Sequence, residues 1–331
     1  MKRILVTGGA GYIGSVLTRK LLNAGYEVVI FDTFFYTDIG IRELGHHPAL
    51  SIFASDIRDI GSLRESLANT GCVIHLAALA NDPSAAIDPE LTRQINLESY
   101  PTLLREAAKA GVQRFINMSS IAVYGINLAD AVTEEAPLNP LTEYSICKAK
   151  GEEIVKQFNT DSLTTVTLRS GTVCGWSPRM RFDLCANTLT ALAVVDKRLT
   201  VWGGGQRRPQ IHLDDLTDVI VGLVGVPAKK IGGRVFNLAG HNTTVMQVAE
   251  TIREVLDRDL ELTSAPPRSD ERTYHVSSER IARELGFVMK KTIRDAVTEI
   301  VNAYRAGLWQ NPCDPLYHNV ERMKSMEHSS L

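Results

Sequence analysis

The chain has 331 residues, 44% hydrophobic and 22% charged, a globular composition too long for one hydrophobic core, so two lobes are expected. A formal net charge of −2, with Lys and Arg spread along the chain, offers no basic stripe to neutralise a phosphate backbone and argues against nucleic acid as a partner. Cys72, Cys147, Cys174, Cys185 and Cys313 show neither CxxC nor CxxH spacing, which speaks against a zinc site or a disulfide framework and fits a reducing cytoplasm; no metal is expected.

Met1-Lys2-Arg3 leads straight into the apolar run Ile4-Leu5-Val6, which is needed as a strand, so no targeting segment is expected. No apolar run approaches the roughly 18 residues of a membrane helix. Along the chain, β-branched runs of strand length then alternate with longer helical stretches, the pattern of a parallel sheet covered on both faces. Strands are expected at 3–7, 27–32, 50–54, 72–76, 114–118 and 165–169, and helices at 12–24, 62–67, 88–110 and 143–158. This is an α/β doubly wound parallel sheet, a Rossmann fold, whose ligands sit beyond the carboxyl ends of the strands. After Gly171 the rhythm breaks into Pro- and Gly-containing stretches such as Trp202-Gly203-Gly204-Gly205. The expected division is a first domain over 1–176 and a smaller C-terminal substrate-binding lobe over 177–331, with part of 205–240 returning to the first. The tail from about Pro312 reads as surface or disordered chain.

The first strand runs into Gly8-Gly9-Ala10-Gly11-Tyr12-Ile13-Gly14 and then a helix. The glycines fall where the chain must turn tightly, and the backbone N–H groups and helix N-terminus face an incoming pyrophosphate. A plain structural turn would look the same in isolation. Asp32, at the end of the second strand, adds the missing context, because its carboxylate can accept hydrogen bonds from both ribose hydroxyls and would repel a 2′-phosphate. The expected cofactor is NAD rather than NADP, and the first domain is its binding domain.

Tyr144-Ser145-Ile146-Cys147-Lys148 sets a phenol and an ammonium one helical turn apart on one face. A free phenol titrates near 10, and a neighbouring Lys⁺ together with a nicotinamide cation favours the phenolate, so Tyr144 can act as a base with Lys148 tuning it. Such a pair also arises by chance on exposed helices. Upstream, Met118-Ser119-Ser120-Ile121-Ala122-Val123-Tyr124-Gly125 follows an expected strand and presents a serine hydroxyl at the same rim.

With these motifs together, the chain resembles an extended short-chain dehydrogenase/reductase of the NAD-dependent nucleotide-sugar epimerase/dehydratase group, over about residues 2–308. Asp56-Ile57, His75-Leu76-Ala77-Ala78 and Arg208-Pro209-Gln210-Ile211-His212-Leu213-Asp214-Asp215 extend the resemblance. It implies that Gly8, Gly11, Tyr12, Ile13, Gly14 and Asp32 bind the cofactor with Tyr144 and Lys148. It also implies that Asp56 and Ile57 hold the adenine, that Leu76, Ala77 and Ala78 line the cofactor, and that Asn96 sits behind the nicotinamide. The catalytic hydroxyl falls on Ser120 rather than Ser119, and Thr172, Arg208 and Arg272 face the substrate, a nucleotide sugar. The resemblance further implies a homodimer built on helices 88–110 and 143–158, with Leu91, Ile95, Leu103 and Ala107 in the contact.

Two departures bear on the reaction. Dehydratases and decarboxylases of this group carry acids just before the Val-Tyr-Gly, where this chain has Ile121 and Ala122, so elimination is disfavoured. After the sixth strand, where related epimerases often carry an Asn, this chain reads Arg169-Ser170-Gly171-Thr172, and the following Trp176-Ser177-Pro178-Arg179-Met180-Arg181-Phe182-Asp183 is also atypical. The expected activity is a nucleotide-sugar 4-epimerase acting through a transient 4-keto sugar and enzyme-bound NADH. The alternatives are a 4-dehydrogenase that releases the keto sugar, and a non-catalytic NAD-binding protein on the same fold.

Overall fold

Alternation of side chains along each strand sends successive apolar residues to opposite faces of a sheet, and this organises the protein. The structure, a computed structural model, describes residues 2–127, 129, 131–256, 260–266 and 273–327. Its strands are β1 (Arg3–Thr7), β2 (Glu27–Asp32), β3 (Leu50–Ala54), β4 (Cys72–His75), β5 (Arg114–Ser120), β6 (Thr164–Ser170), β7 (Thr172–Cys174), β8 (Arg198–Trp202), β9 (Arg207–His212), β10 (Arg234–Leu238), β11 (His241–Thr244) and β12 (Glu261–Ala265). Seven of them form one parallel sheet in the order β10-β6-β5-β4-β1-β2-β3. Ile4, Val6, Ile30, Ile74 and Ile116 face one apolar layer with Leu17, Leu21, Leu216 and Ile220. Leu5, Val29, Val73 and Phe115 face the other, with Tyr100, Leu103 and Leu104. Each such side chain, once fully buried, contributes about 1.5–3 kcal/mol.

Part of the chain beyond residue 205 belongs to this sheet: β10 pairs with β6, and helix Leu213–Gly225 packs on helix Tyr12–Asn23. Beside it lie the three-stranded sheet β11-β9-β7, whose β7 falls within the first 176 residues, and the pair β12-β8. His212, Asp214 and Glu299 cluster, but Lys20 and Lys291 balance the two carboxylates at 3.0 and 3.6 Å, which makes this an ion-pair cluster. The five cysteines are all unpaired. No helix among the described residues is long and apolar enough to cross a membrane.

Three expectations need correction. The helix expected over 88–110 is broken into Pro89–Arg93, a π-turn over Gln94–Glu98 and Tyr100–Lys109. The Asn96 side chain explains why the turn is held there, since it bonds both the nitrogen and the carbonyl of Leu79 at 2.9 Å, while Pro101 suits the start of a new helix. Leu103 and Ala107 are fully buried in the chain's own core, so neither can supply a contact to a second copy. Finally, the tail is folded as far as residue 327: Tyr317 packs on Phe182, which also meets Trp309, with ring centroids 5.1 and 4.6 Å away, and helix Asn319–Glu327 follows. Tyr317 supplies apolar area that the tail's polar composition conceals.

Candidate active site

The carboxyl ends of the central strands open onto one cleft of about 510 Å³. At its floor β1 turns through Gly8, whose φ of 74° lies in the left-handed region and where a β-carbon would come within 2.8 Å of the Ala77 nitrogen. Helix Tyr12–Asn23 starts without a side-chain cap and without an acid in its first turn, so its N–H groups are available to an anion from outside the helix. Asp32 accepts hydrogen bonds from the nitrogens of Ala10 (3.0 Å) and Phe34 (2.9 Å), and burial raises its pKa. A glycine cradle, an uncapped helix and a carboxylate at the end of the second strand are the three features NAD requires, and the residues fit it.

The remaining expected cofactor residues sort by depth. Gly11, Ile13, Gly14, Asp56, Ile57, Leu76, Ala77 and Ala78 line the cleft. Asp56 is gripped by Arg58 at 2.8 and 2.7 Å, which holds its carboxyl below the usual range. Tyr12 also lines the cleft, but its hydroxyl donates to the Gly175 carbonyl at 2.7 Å and so ties down the segment after β7. Asn96, only 1% exposed, supports the loop after β4 from behind and does not line the cleft.

Tyr144 and Lys148 share one face of helix Glu143–Gln157, which Thr142 and Ser145 start with a capping box. Tyr144 and Ser120 both line the cleft, with Ser120 close enough to act on the phenol, and Lys148 Nζ lies 5.8 Å from the Tyr144 ring centroid while donating to the Met118 carbonyl at 2.8 Å. Burial pushes the Tyr144 phenol up to about 12; the Asp82 carboxylate adds to the rise, and the Ser120 hydroxyl and the Arg181 guanidinium oppose it. Burial pulls Lys148 down to about 8. Ser119 is engaged elsewhere, donating to Glu152 at 2.5 Å, which leaves Ser120 as the serine beside the phenol. Thr172 and Arg208 line the cleft from β7 and β9, whereas Arg272 lies outside the described residues.

Several cleft residues escaped the sequence reading. Asp82 is set beside Tyr144 by a 2.6 Å hydrogen bond from Thr142. The preceding Asn81 has φ 85° and ψ 158°, a region that costs a non-glycine residue about 1–3 kcal/mol, and it is pinned there by Asp183 and by its cap on Ser84. Arg181 pairs with Asp183 through contacts of 2.9 and 2.8 Å, and Arg179 and Asn319 complete the rim. A positive φ at a non-glycine and a contact between distant loops leave no local pattern in a sequence. The SPRMRFD run was the one visible signal.

Comparison with known proteins agrees with this geometry. The sequence model of the "NAD dependent epimerase/dehydratase family" matches residues 4–239. A dTDP-glucose 4,6-dehydratase of Streptomyces griseus is 28% identical, covering 94% of this chain and 97% of the relative. UDP-glucose 4-epimerase 4 of Oryza sativa subsp. japonica is 30% identical, over 89% of this chain and 88% of the relative. Among solved structures, a UDP-glucose 4-epimerase from Thermotoga maritima, with UDP-glucose, superposes with a TM-score of 0.82 at 25% identity, covering 93% of this chain and 100% of that one. The chain is thus a nucleotide-sugar enzyme of the extended short-chain dehydrogenase/reductase type, uses NAD, and belongs to the NAD-dependent epimerase/dehydratase family.

Proposed function

We propose that the enzyme is a nucleotide-sugar 4-epimerase in which Tyr144 is the acid–base group. The observation that carries this reading is the placement of Ser120 beside the Tyr144 phenol at a cleft wall where Ile121 and Ala122 offer no titratable group. Tyr144 takes the proton from the sugar 4-hydroxyl as the carbon is oxidised, and returns it after the 4-keto sugar has turned over. Ser120 holds the reacting oxygen, and the cationic Lys148 and Arg181 favour the phenolate against its burial. NAD, when bound, supplies the acceptor for the hydride and gives it back. Thr172, Arg208 and Arg272 are assigned to the substrate, and the residues lining the Gly8 end of the cleft to the cofactor, with Asn96 supporting it.

Asp82 favours a second reading, because a carboxylate beside the phenol could move a second proton at a neighbouring carbon, as elimination requires. Release at the ketone stage would give a dehydrogenase through the same first step. Incubation with UDP-, GDP-, dTDP-, CDP- and ADP-sugars, followed by mass spectrometry, separates the three. An unchanged mass with a new stereoisomer is expected; a product lighter by water or by two hydrogens would replace the epimerase reading.

The homodimer enters here as a proposal. With Leu103 and Ala107 committed to the core, the contact falls to the half-buried Leu91 and Ile95 of the expected set and to half-buried neighbours such as Leu97, Ile146 and Ile154. Light scattering at micromolar concentration should give twice the chain mass of 36.4 kDa. The monomer mass would count against the dimer.

A further inference from the structure

The segment after β7 places at the cleft a buried cation that has no ion-pair partner among the described residues. Arg179 is 2% exposed and lines the cleft. Its Nη2 donates to Asn319 Oδ1 at 2.6 Å, its guanidinium lies 4.9 Å from the centroid of the Tyr36 ring, and its Nε has no partner among the described residues. Arg181, two positions on, is neutralised by Asp183, whereas no carboxylate among the described residues comes within ion-pairing distance of Arg179. Burial, with the like charge of Arg181, pulls Arg179 down to about 10 against the more distant attraction of Asp183 and Asp32. Its placement relative to the Gly-rich helix is fixed by packing: a β-carbon on Gly40 would meet Ser15 Cβ at 2.8 Å and Arg179 Cβ at 2.9 Å. Arg179 therefore stands beside the first turns of the uncapped helix, close enough to Asp32 to act on its charge.

A buried guanidinium in this state is costly unless an anion meets it. Its planar fork suits phosphate oxygens, and the adjacent helix start favours the same charge. We infer that Arg179 is a diphosphate-binding residue, held in place by Asn319 and Tyr36, so that the segment after Trp309 forms part of the ligand site. The inference rests on the reading of the cleft as a site for NAD and a nucleotide sugar, and both ligands carry the diphosphate. The segment is built for this role: Arg322 Nε donates to the Tyr36 carbonyl at 3.1 Å, and the Asn319 nitrogen donates to Asp183 at 3.3 Å.

The test is equilibrium binding to the full chain, freed of nucleotide, for wild type, Arg179→Met, Arg179→Lys and Asn319→Ala. The probes are NAD against adenosine, and UDP and dTDP against uridine and thymidine, with thermal unfolding monitored alongside. Arg179→Met is expected to weaken a diphosphate ligand by about 10–100-fold while its phosphate-free counterpart binds as before. Arg179→Lys should lose less, and Asn319→Ala should lose several-fold because the guanidinium has lost its holder. A loss confined to NAD identifies the cofactor's diphosphate, and one confined to UDP or dTDP identifies the sugar nucleotide's; either bears the inference out. Unchanged affinities, or equal losses for ligands with and without phosphate, overturn it by reducing Arg179 to a packing residue. A wild-type protein that binds neither NAD nor a nucleoside diphosphate overturns the underlying reading of the cleft, and this inference with it.

Discussion

Tyr144→Phe is expected to lower turnover by about 10²–10⁴-fold while leaving NAD binding intact, since it keeps the ring and removes the group that takes the substrate proton. Lys148→Ala should be at least as damaging, because it removes a buried cation near the phenol and the hydrogen bond to the Met118 carbonyl. Ser120→Ala should cost less, as the hydroxyl beside the phenol is lost and the base remains. Single-turnover reduction of NAD by an active nucleotide sugar reads the first half-reaction alone, whether the final product is an epimer or a ketone. A Tyr144→Phe enzyme that reduces NAD at the wild-type rate would remove Tyr144 as the base. If the helix pair were merely structural, all three substitutions would instead shift thermal stability and leave the rate per folded molecule unchanged.

Arg169→Leu is expected to destabilise the fold by about 3–5 kcal/mol, the loss associated with breaking a buried ion pair from one side. Arg169 and Glu152 have side chains only 6% exposed and meet through contacts of 3.0, 3.1 and 2.7 Å. Arg169 also donates to the Tyr124 hydroxyl at 2.8 Å, and Ser119 donates to Glu152. Removing the guanidinium strands a carboxylate in the interior. Replacing both partners by methionine should recover much of the loss, since an apolar pair leaves no uncompensated charge. Urea unfolding at constant m-value measures both variants, and a single-variant loss below about 1 kcal/mol would contradict the account. Although Arg169 is close in sequence to Thr172 in the cleft, its side chain turns into this network, so its loss should appear in stability before it appears in substrate affinity.

The sheet was legible in the sequence because its signals are local. β-branched runs mark β1, β2 and β3 to the residue and β4, β5 and β6 to within two residues at either end, whereas β10, the edge strand that returns from beyond residue 205, was not expected as a strand. The glycine turn, Asp32 and the spacing of Tyr144 and Lys148 were legible for the same reason: each is a short pattern whose physical requirement lies within a few positions. What was hidden depends on distant chain. Asp82 reaches Tyr144 because Thr142 holds it across 60 residues, and the helix break at Asn96 exists because Leu79 is opposite. Neither pairing has a periodicity. The segment after Pro312 reads as surface chain because its polar composition hides Tyr317 and Asn319, which pack only against a loop that the sequence does not reveal as a neighbour.

Those long reaches fix the order in which the molecule can be completed during synthesis. Asn319 meets Ala80 across 239 residues, and Arg322 meets Tyr36 across 286. Domains generally fold as units from the N-terminal side as the chain emerges, so the paired strands of the sheet can assemble while translation continues. The rim cannot. Until the ribosome has passed residue 322 and its exit tunnel has released that stretch, Arg179 lacks its partner and the Tyr36 carbonyl its donor. A ribosome stalled shortly before that point would therefore carry a nascent chain with its strands in register and its cleft still open at one side.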